Sequence, residues 1–295
     1  MLPATTLPVP LVIATDGPSG SGKSSVAKRV AARLGLAYLD TGAMYRAATW
    51  WCLERGVPLD DADAVAAEVV ALPLVMGVDP AAPTVVVGGV DVGEAIRDTA
   101  ISTAVSAVAT NLAVRAELIR RQRAEIAAQA LPGSFSGGRG VLAGGRDITT
   151  VVAPDADVRV LLTASEEARL ARRALDVHGT ASAAAMRATR DQVLRRDADD
   201  STVVQFHVAA DGVTTVDSSD LDLEQTVQAV FDVVARVAGR LVWTRAPPGV
   251  TGGTSSGRRP LAGRGPLSGP GRRRGDRAGR TGSGTSSRTG CGTPR

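Results

Sequence analysis

Val12-Ile13-Ala14-Thr15-Asp16-Gly17-Pro18-Ser19-Gly20-Ser21-Gly22-Lys23-Ser24-Ser25 is the stretch whose reading decides the fold. The apolar run Leu11 to Ala14 reads as a buried strand. Gly17 to Ser24 fits G-x-x-x-x-G-K-[ST], and Val26, Val30, Ala31 and Leu34 then mark one face of a helix. Strand, glycine loop and helix in that order are the setting a phosphate-binding loop requires. Glycines let successive backbone N–H groups turn toward a phosphate, and the helix N-terminus adds its dipole. Gly17, Pro18, Ser19, Gly20, Ser21, Gly22, Lys23, Ser24 and Ser25 are therefore the candidate triphosphate-binding residues. Lys23 would bring a point charge to the outer phosphates, and the Ser24 hydroxyl could reach Mg²⁺. An ordinary glycine turn before a helix is the plainer reading. Against it stands the rarity of lysine, of which the chain has only Lys23 and Lys28 beside 32 arginines.

Outward from the loop, strands and helices alternate. Ala37 to Gly42 reads as a short strand ending in a turn, 43–55 as a helix stopped by Gly56-Val57-Pro58, and 61–72 as another helix. Val85-Val86-Val87, Gly88-Gly89 and Val90-Asp91-Val92 read as a hairpin. Residues 94–129 are helical with a break near Asn111, and Val141-Leu142-Ala143 is a short strand entering Gly144-Gly145-Arg146-Asp147. Val158 to Thr163 is a buried strand, followed by a helix capped by Ser165 and carrying Arg169, Arg172 and Arg173. A further helix ends in Arg195-Arg196-Asp197. Gly212 to Asp217 is the last strand, and 221–241 the closing helix. The expectation is an α/β fold, a P-loop NTPase-type parallel sheet with helices on both faces. Ligands then sit beyond the carboxyl ends of the strands.

Charge divides the chain. The formal net charge is +4, yet from Arg245 onward there are 11 arginines and one acid, which leaves residues 1–244 at −6. The basic character belongs to residues 245–295, with 14 glycines and almost no large apolar side chain. Such a segment is expected to be disordered. Its abrupt composition also reads as a GC-rich frame translated out of register. Without aromatic residues or regular RGG spacing, it is a poor RNA-binding segment. Two cysteines make no disulfide framework, and the N-terminus lacks a basic n-region, so a cytoplasmic protein without a membrane partner is expected.

A triphosphate loop does not name an acceptor. Arginines beside acids do better: Arg46, Arg146-Asp147 and Arg195-Arg196-Asp197-Ala198-Asp199-Asp200. Arginine grips phosphate bidentately, and transfer between two anionic nucleotides needs several cations. With the loop, the segments Leu39-Asp40-Thr41-Gly42-Ala43-Met44-Tyr45-Arg46, Gly93 to Arg97, Val114-Arg115-Ala116-Glu117, Arg120-Arg121-Gln122-Arg123 and Gly145-Arg146-Asp147-Ile148-Thr149-Thr150-Val151-Val152 resemble the bacterial cytidylate (CMP/dCMP) kinase family over roughly residues 9–241.

The resemblance implies a nucleoside monophosphate kinase domain at 9–244 with an acceptor-binding insert near 72–98. It implies ATP and Mg²⁺ as cofactors, CMP or dCMP as acceptor, and a monomer. Thr41, Arg46, Arg146 and Arg196 would meet phosphate, Ser106, Arg115 and Asp147 the cytosine edge, and Asp200 the ribose. Lys23, Arg146 and Arg196 would be catalytic, with Arg169, Arg172 and Arg173 closing over the triphosphate. Bottom-up, a carboxylate at Asp147 suits the exocyclic amine of cytosine and opposes the carbonyl of uracil. Two positions depart from the family pattern: Gly144 stands where an acid is usual, and Val203 where some members carry arginine. Asp16 is a second acid near the loop. His178, His207, Trp50 and Trp51 read as structural. Another small P-loop kinase with a different acceptor is the alternative enzyme.

Overall fold

The computed structural model describes residues 10–245. The expectation of disorder beyond Arg245 falls outside the described residues. Five parallel strands form the central sheet: β1 (Leu11–Asp16), β2 (Ala37–Asp40), β6 (Gly140–Gly145), β7 (Val158–Thr163) and β8 (Thr214–Asp217), in the order β2-β6-β1-β7-β8. Alternate residues serve opposite faces, as the two-residue period of a strand demands. Leu11 and Ile13 of β1 pack with Val26 and Val30 of helix α1 (Lys23–Leu34) and with Val227, Val230 and Val234 of α8 (Leu223–Arg245). Ala14 of β1, Leu39 of β2 and Val141 of β6 face the other way. They join a core built from α2 (Thr41–Glu54), α3 (Ala62–Ala71), α4 (Thr99–Ala109) and α5 (Leu112–Ala128). Parallel sheets need this double cover because neither face can meet water.

Local chemistry shifts several boundaries. Asp40 does not begin a turn: its Oδ1 accepts from the Ala43 N–H at 2.9 Å, so α2 starts at Thr41 directly after β2. The stretch from Glu94 breaks twice, first at a 3₁₀ turn (Ala95–Arg97) before α4, then at Asn111, which caps α5. Helix α6 (Glu166–His178) is capped by Ser165 and stopped by Gly179. The helix expected to end at Asp197 runs on, as α7 (Ala183–Ser201). The hairpin is present as β4 (Val85–Val87) and β5 (Val90–Asp91), with an unforeseen third strand, β3 (Leu74–Met76), against β4.

This small sheet is anchored by Arg121. Its guanidinium donates to the carbonyls of Leu72 (2.7 Å), Val69 (3.1 Å) and Val70 (2.9 Å), closing the carboxyl end of α3 where β3 begins. Arg120 and Arg121 together hold the Glu117 carboxyl down to about 2. Arg121→Met is expected to cost about 2 kcal/mol in urea denaturation, since three carbonyls lose a charged donor. Because the folded value lies below the ordinary one of 4.5, Glu117 stabilises the fold above that pH. Its contribution disappears as pH falls through about 2. Glu117→Gln should therefore flatten the acid limb of the stability curve. An unchanged limb would refute the assignment.

Candidate active site

β1, β2 and β6 deliver their carboxyl ends side by side, with Thr15, Asp40 and Gly144 in lateral register. From β1 the chain turns through Gly17–Gly22 into α1. Gly20 has φ +77°, and a Cβ there would stand 2.5 Å from the Arg169 carbonyl oxygen, so the loop can lie against α6 only with glycine. Lys23 is the first residue of α1 and is half-buried. Burial and the neighbouring Arg146 push its ammonium down to about 8, against the pull of Asp16 and Asp40. Pro18 and Ser19 lead into this turn, and Ser21 is buried within it. Ser24 and Ser25 are exposed at the start of α1.

Asp16 supports the turn that follows β6. Its oxygens accept from the N–H groups of Ile148 (2.9 Å) and Thr149 (2.8 Å) and from the Thr149 hydroxyl (2.6 Å). Those bonds hold the start of a π-helical turn, Ile148–Val152, which follows Arg146 and Asp147 and fixes where they emerge from β6. Gly145 completes this support. A Cβ there would lie 2.4 Å from Thr41 Oγ1 and 2.8 Å from Ile148 Cδ1.

Opposite the loop, Thr41, Tyr45, Arg115, Arg146, Asp147, Arg196 and Asp200 line one cavity, with Val105 and Ala109 of α4 and Val203 and Val204 closing its apolar side. Thr41 donates to the Gly144 carbonyl at 2.9 Å. Arg115, from α5, is ion-paired with Asp147. Burial pushes the Asp147 carboxyl up from the usual carboxylate range, and Arg115 pulls against it. Ser106 sits on α4 between two lining residues but is not itself among them.

Arg146 is held between two acids and a ring. It pairs with Asp197 at 2.9 Å and with Asp200 at 2.9 Å, and its guanidinium lies 4.5 Å from the Phe206 ring centre. Arg196 faces Asp200 at 3.9 Å. Burial and crowding by Arg146, Arg46 and Arg173 push the Arg196 guanidinium down to about 10. Arg146 and Arg196 thus line the cavity together, with Arg46 and Arg173 near enough to repel Arg196 and Arg46 also 3.5 Å from Asp40. Arg169 and Arg172 are tied to the loop itself, donating to the carbonyls of Ser19 (3.0 Å) and Ser21 (3.3 Å).

Sequence reading missed Asp197, Phe206 and the Asp16–Thr149 support. Phe206 carried a signal, as one of only three phenylalanines. Asp197 and Asp16 stand out in the sequence as acids near arginines and the loop, but their partners do not, because they are distant in the chain. His178 and His207 are exposed, and Trp50 and Trp51 pack against the core. No helix among the described residues is long and apolar enough to cross a membrane.

Among the described residues no three His, Cys, Asp or Glu side chains gather to hold a metal ion unaided. The exposed Ser24 hydroxyl and Asp40, with one oxygen only loosely held by Arg46, suit an ion that keeps water and phosphate oxygens as its main ligands. That is how magnesium arrives on a triphosphate.

The cytidylate kinase family model matches residues 13–236. The chain is 44% identical over 232 residues to a cytidylate kinase of Streptomyces avermitilis, covering 78% of this chain and 95% of that protein. It is 47% identical over 229 residues to a cytidylate kinase of Cutibacterium acnes, covering 76% and 96%.

Proposed function

The chain belongs to the cytidylate kinase family, and from that premise we infer that it transfers the γ-phosphoryl group of ATP to CMP or dCMP. The observation that carries the reading is one cavity lined by Arg146, Arg196, Arg115 and Asp147, whose Arg146 shares Asp197 with Ser19 of the phosphate-binding loop. Phosphoryl transfer asks the protein for position and charge, not for a covalent intermediate. The loop from Gly17 to Ser25, with Lys23, would hold the triphosphate. Magnesium, carried on the phosphates and touching Ser24, would neutralise their charge. Arg146, Arg196 and Lys23 would steady the group in flight. Thr41 and Arg46 would hold the acceptor phosphate and Asp200 the ribose. Asp40, Asp197 and Asp200 offset the crowding of the arginines only in part, since Arg196 is still pushed down, and arriving phosphates would relieve the rest.

Base choice would rest on Asp147 and Arg115, with Ser106 nearby. The carboxylate accepts the cytosine amine, while a uracil carbonyl would meet it unfavourably. An ADP-release assay on the full chain with ATP, Mg²⁺ and CMP, dCMP, UMP or AMP tests this reading. Activity confined largely to the cytidine nucleotides is expected, and equal rates with UMP would overturn it. Asp147→Asn, which presents a donor as well as an acceptor, should lower kcat/KM for CMP about a hundredfold and narrow its advantage over UMP.

Gly144 is the departure with the clearest remedy. A Cβ there meets only Thr15, its Cγ2 at 3.4 Å and its carbonyl oxygen at 4.0 Å, both ordinary contact, so the backbone accepts a side chain at this point. Gly144→Glu should fold normally and lower the Mg²⁺ needed for half-maximal rate about tenfold. No change in that requirement would mean Asp40 already suffices. A monomeric cytoplasmic enzyme, with 9–244 as the kinase domain and 72–98 as its acceptor-binding insert, belongs to the same proposal and rests on the family resemblance.

A further inference from the structure

The geometry points to Asp197 as a carboxylate shared between the two substrate sites, which couples the binding of ATP to the binding of the acceptor nucleotide. The inference rests on the two-substrate reading above. Asp197 is only 4% exposed and sits in the last turns of α7. One oxygen accepts from the Ser19 N–H of the phosphate loop at 3.2 Å and lies 2.9 Å from Arg146 on the acceptor side. The other accepts from Arg169, which also donates to the Ser19 carbonyl at 3.0 Å. One buried anion therefore joins the donor loop, the donor-side Arg169 and the acceptor-side Arg146.

Without phosphates, Asp197 is the counter-ion of both arginines. A triphosphate at the loop draws Arg169 toward itself, and an acceptor phosphate draws Arg146. Either one must loosen the same buried arrangement, and breaking a buried ion pair is costly. The first anion to bind meets that cost, and the second finds the arrangement already open. Binding is then positively cooperative, by the same factor in either order. Asp200 does not do this, because its partners, Arg146 and Arg196, both line the acceptor cavity.

The test is titration calorimetry on the full chain with CMP and with a non-hydrolysable ATP analogue, each alone and each in the presence of the other. The wild type should bind each about tenfold more tightly when the other is present. Asp197→Asn should abolish that ratio and at the same time tighten each binary complex several-fold, because the arginines are freed. A residue that merely supports the fold would weaken both complexes. Asp199→Asn, on the same helix, should leave the ratio unchanged. If Asn cannot be accommodated, Asp197→Ser removes the charge in a smaller volume and should give the same two changes. A wild-type ratio near one, or a ratio retained in a folded neutral variant, would overturn the inference. Binding of the analogue without any binding of CMP would instead defeat the functional reading. The analogue alone would then still decide on Asp197, since weaker or unchanged binding by Asp197→Asn rules the inference out.

Discussion

Lys23→Met should lower phosphoryl transfer at saturating substrates about a thousandfold, while making the protein more stable, not less. Both halves follow from one location. Lys23 opens α1 directly behind the glycine loop, where a charge on a flexible stem can follow the phosphoryl group between donor and acceptor. The protein holds that charge at a cost. Its folded value, about 8, lies below the ordinary 10.5, because burial and Arg146 outweigh Asp16 and Asp40. A lysine depressed in this way penalises folding fully below about pH 8, and the penalty fades as pH rises toward 10.5. Methionine keeps an unbranched apolar stem of similar reach and removes the penalty. The melting midpoint at pH 7 should therefore rise, and the gain over wild type should shrink toward pH 10. Loss of turnover with loss of stability would mean that Lys23 is a packing residue. The expected opposition is the signature of a group kept for chemistry.

How much of this was legible in the sequence depended on distance along the chain. The loop, its strand and its helix were readable because their determinants lie within about twenty consecutive residues. Ser165 and Asn111 were readable as cap and break for the same reason. Asp40 was misread as the start of a turn, since a residue ending a strand and capping the next helix looks identical in sequence to one that begins a loop. Strand β3 was missed because three residues after Pro73 carry no period, and only pairing with β4 makes them a strand. The sequence reading ends α7 too early, at Asp197, because no apolar period marks the last turn. In the fold Asp197 and Asp200 are buried counter-ions, so the helix continues through them. Asp16 was legible as an acid near the loop but not as the support of Thr149, 133 positions away. Long-range polar pairing is set by topology, and topology leaves no local mark.

Arg146→Met should do the opposite of Lys23→Met in stability while matching it in rate. Its guanidinium separates two buried carboxylates, Asp197 and Asp200, and rests on the Phe206 ring. Removing it leaves two acids facing each other with only Arg169 and Arg196 to share, and loss of one partner in such an arrangement costs about 3 kcal/mol. Turnover should fall by about a thousandfold, because the proposed role of Arg146 is to balance charge as it develops on the transferring group. Arg146→Lys separates the two effects. A lysine restores the charge between the acids, so most of the stability should return. It cannot present a planar fork to two carboxylates and an aromatic face at once, nor grip a phosphate bidentately, so most of the rate should not. Thermal denaturation beside saturating kcat for the three proteins decides the matter. If Lys recovered rate and stability together, Arg146 would be acting as a simple counter-ion, and the transfer step would have to draw its positive charge from Arg196 and Lys23.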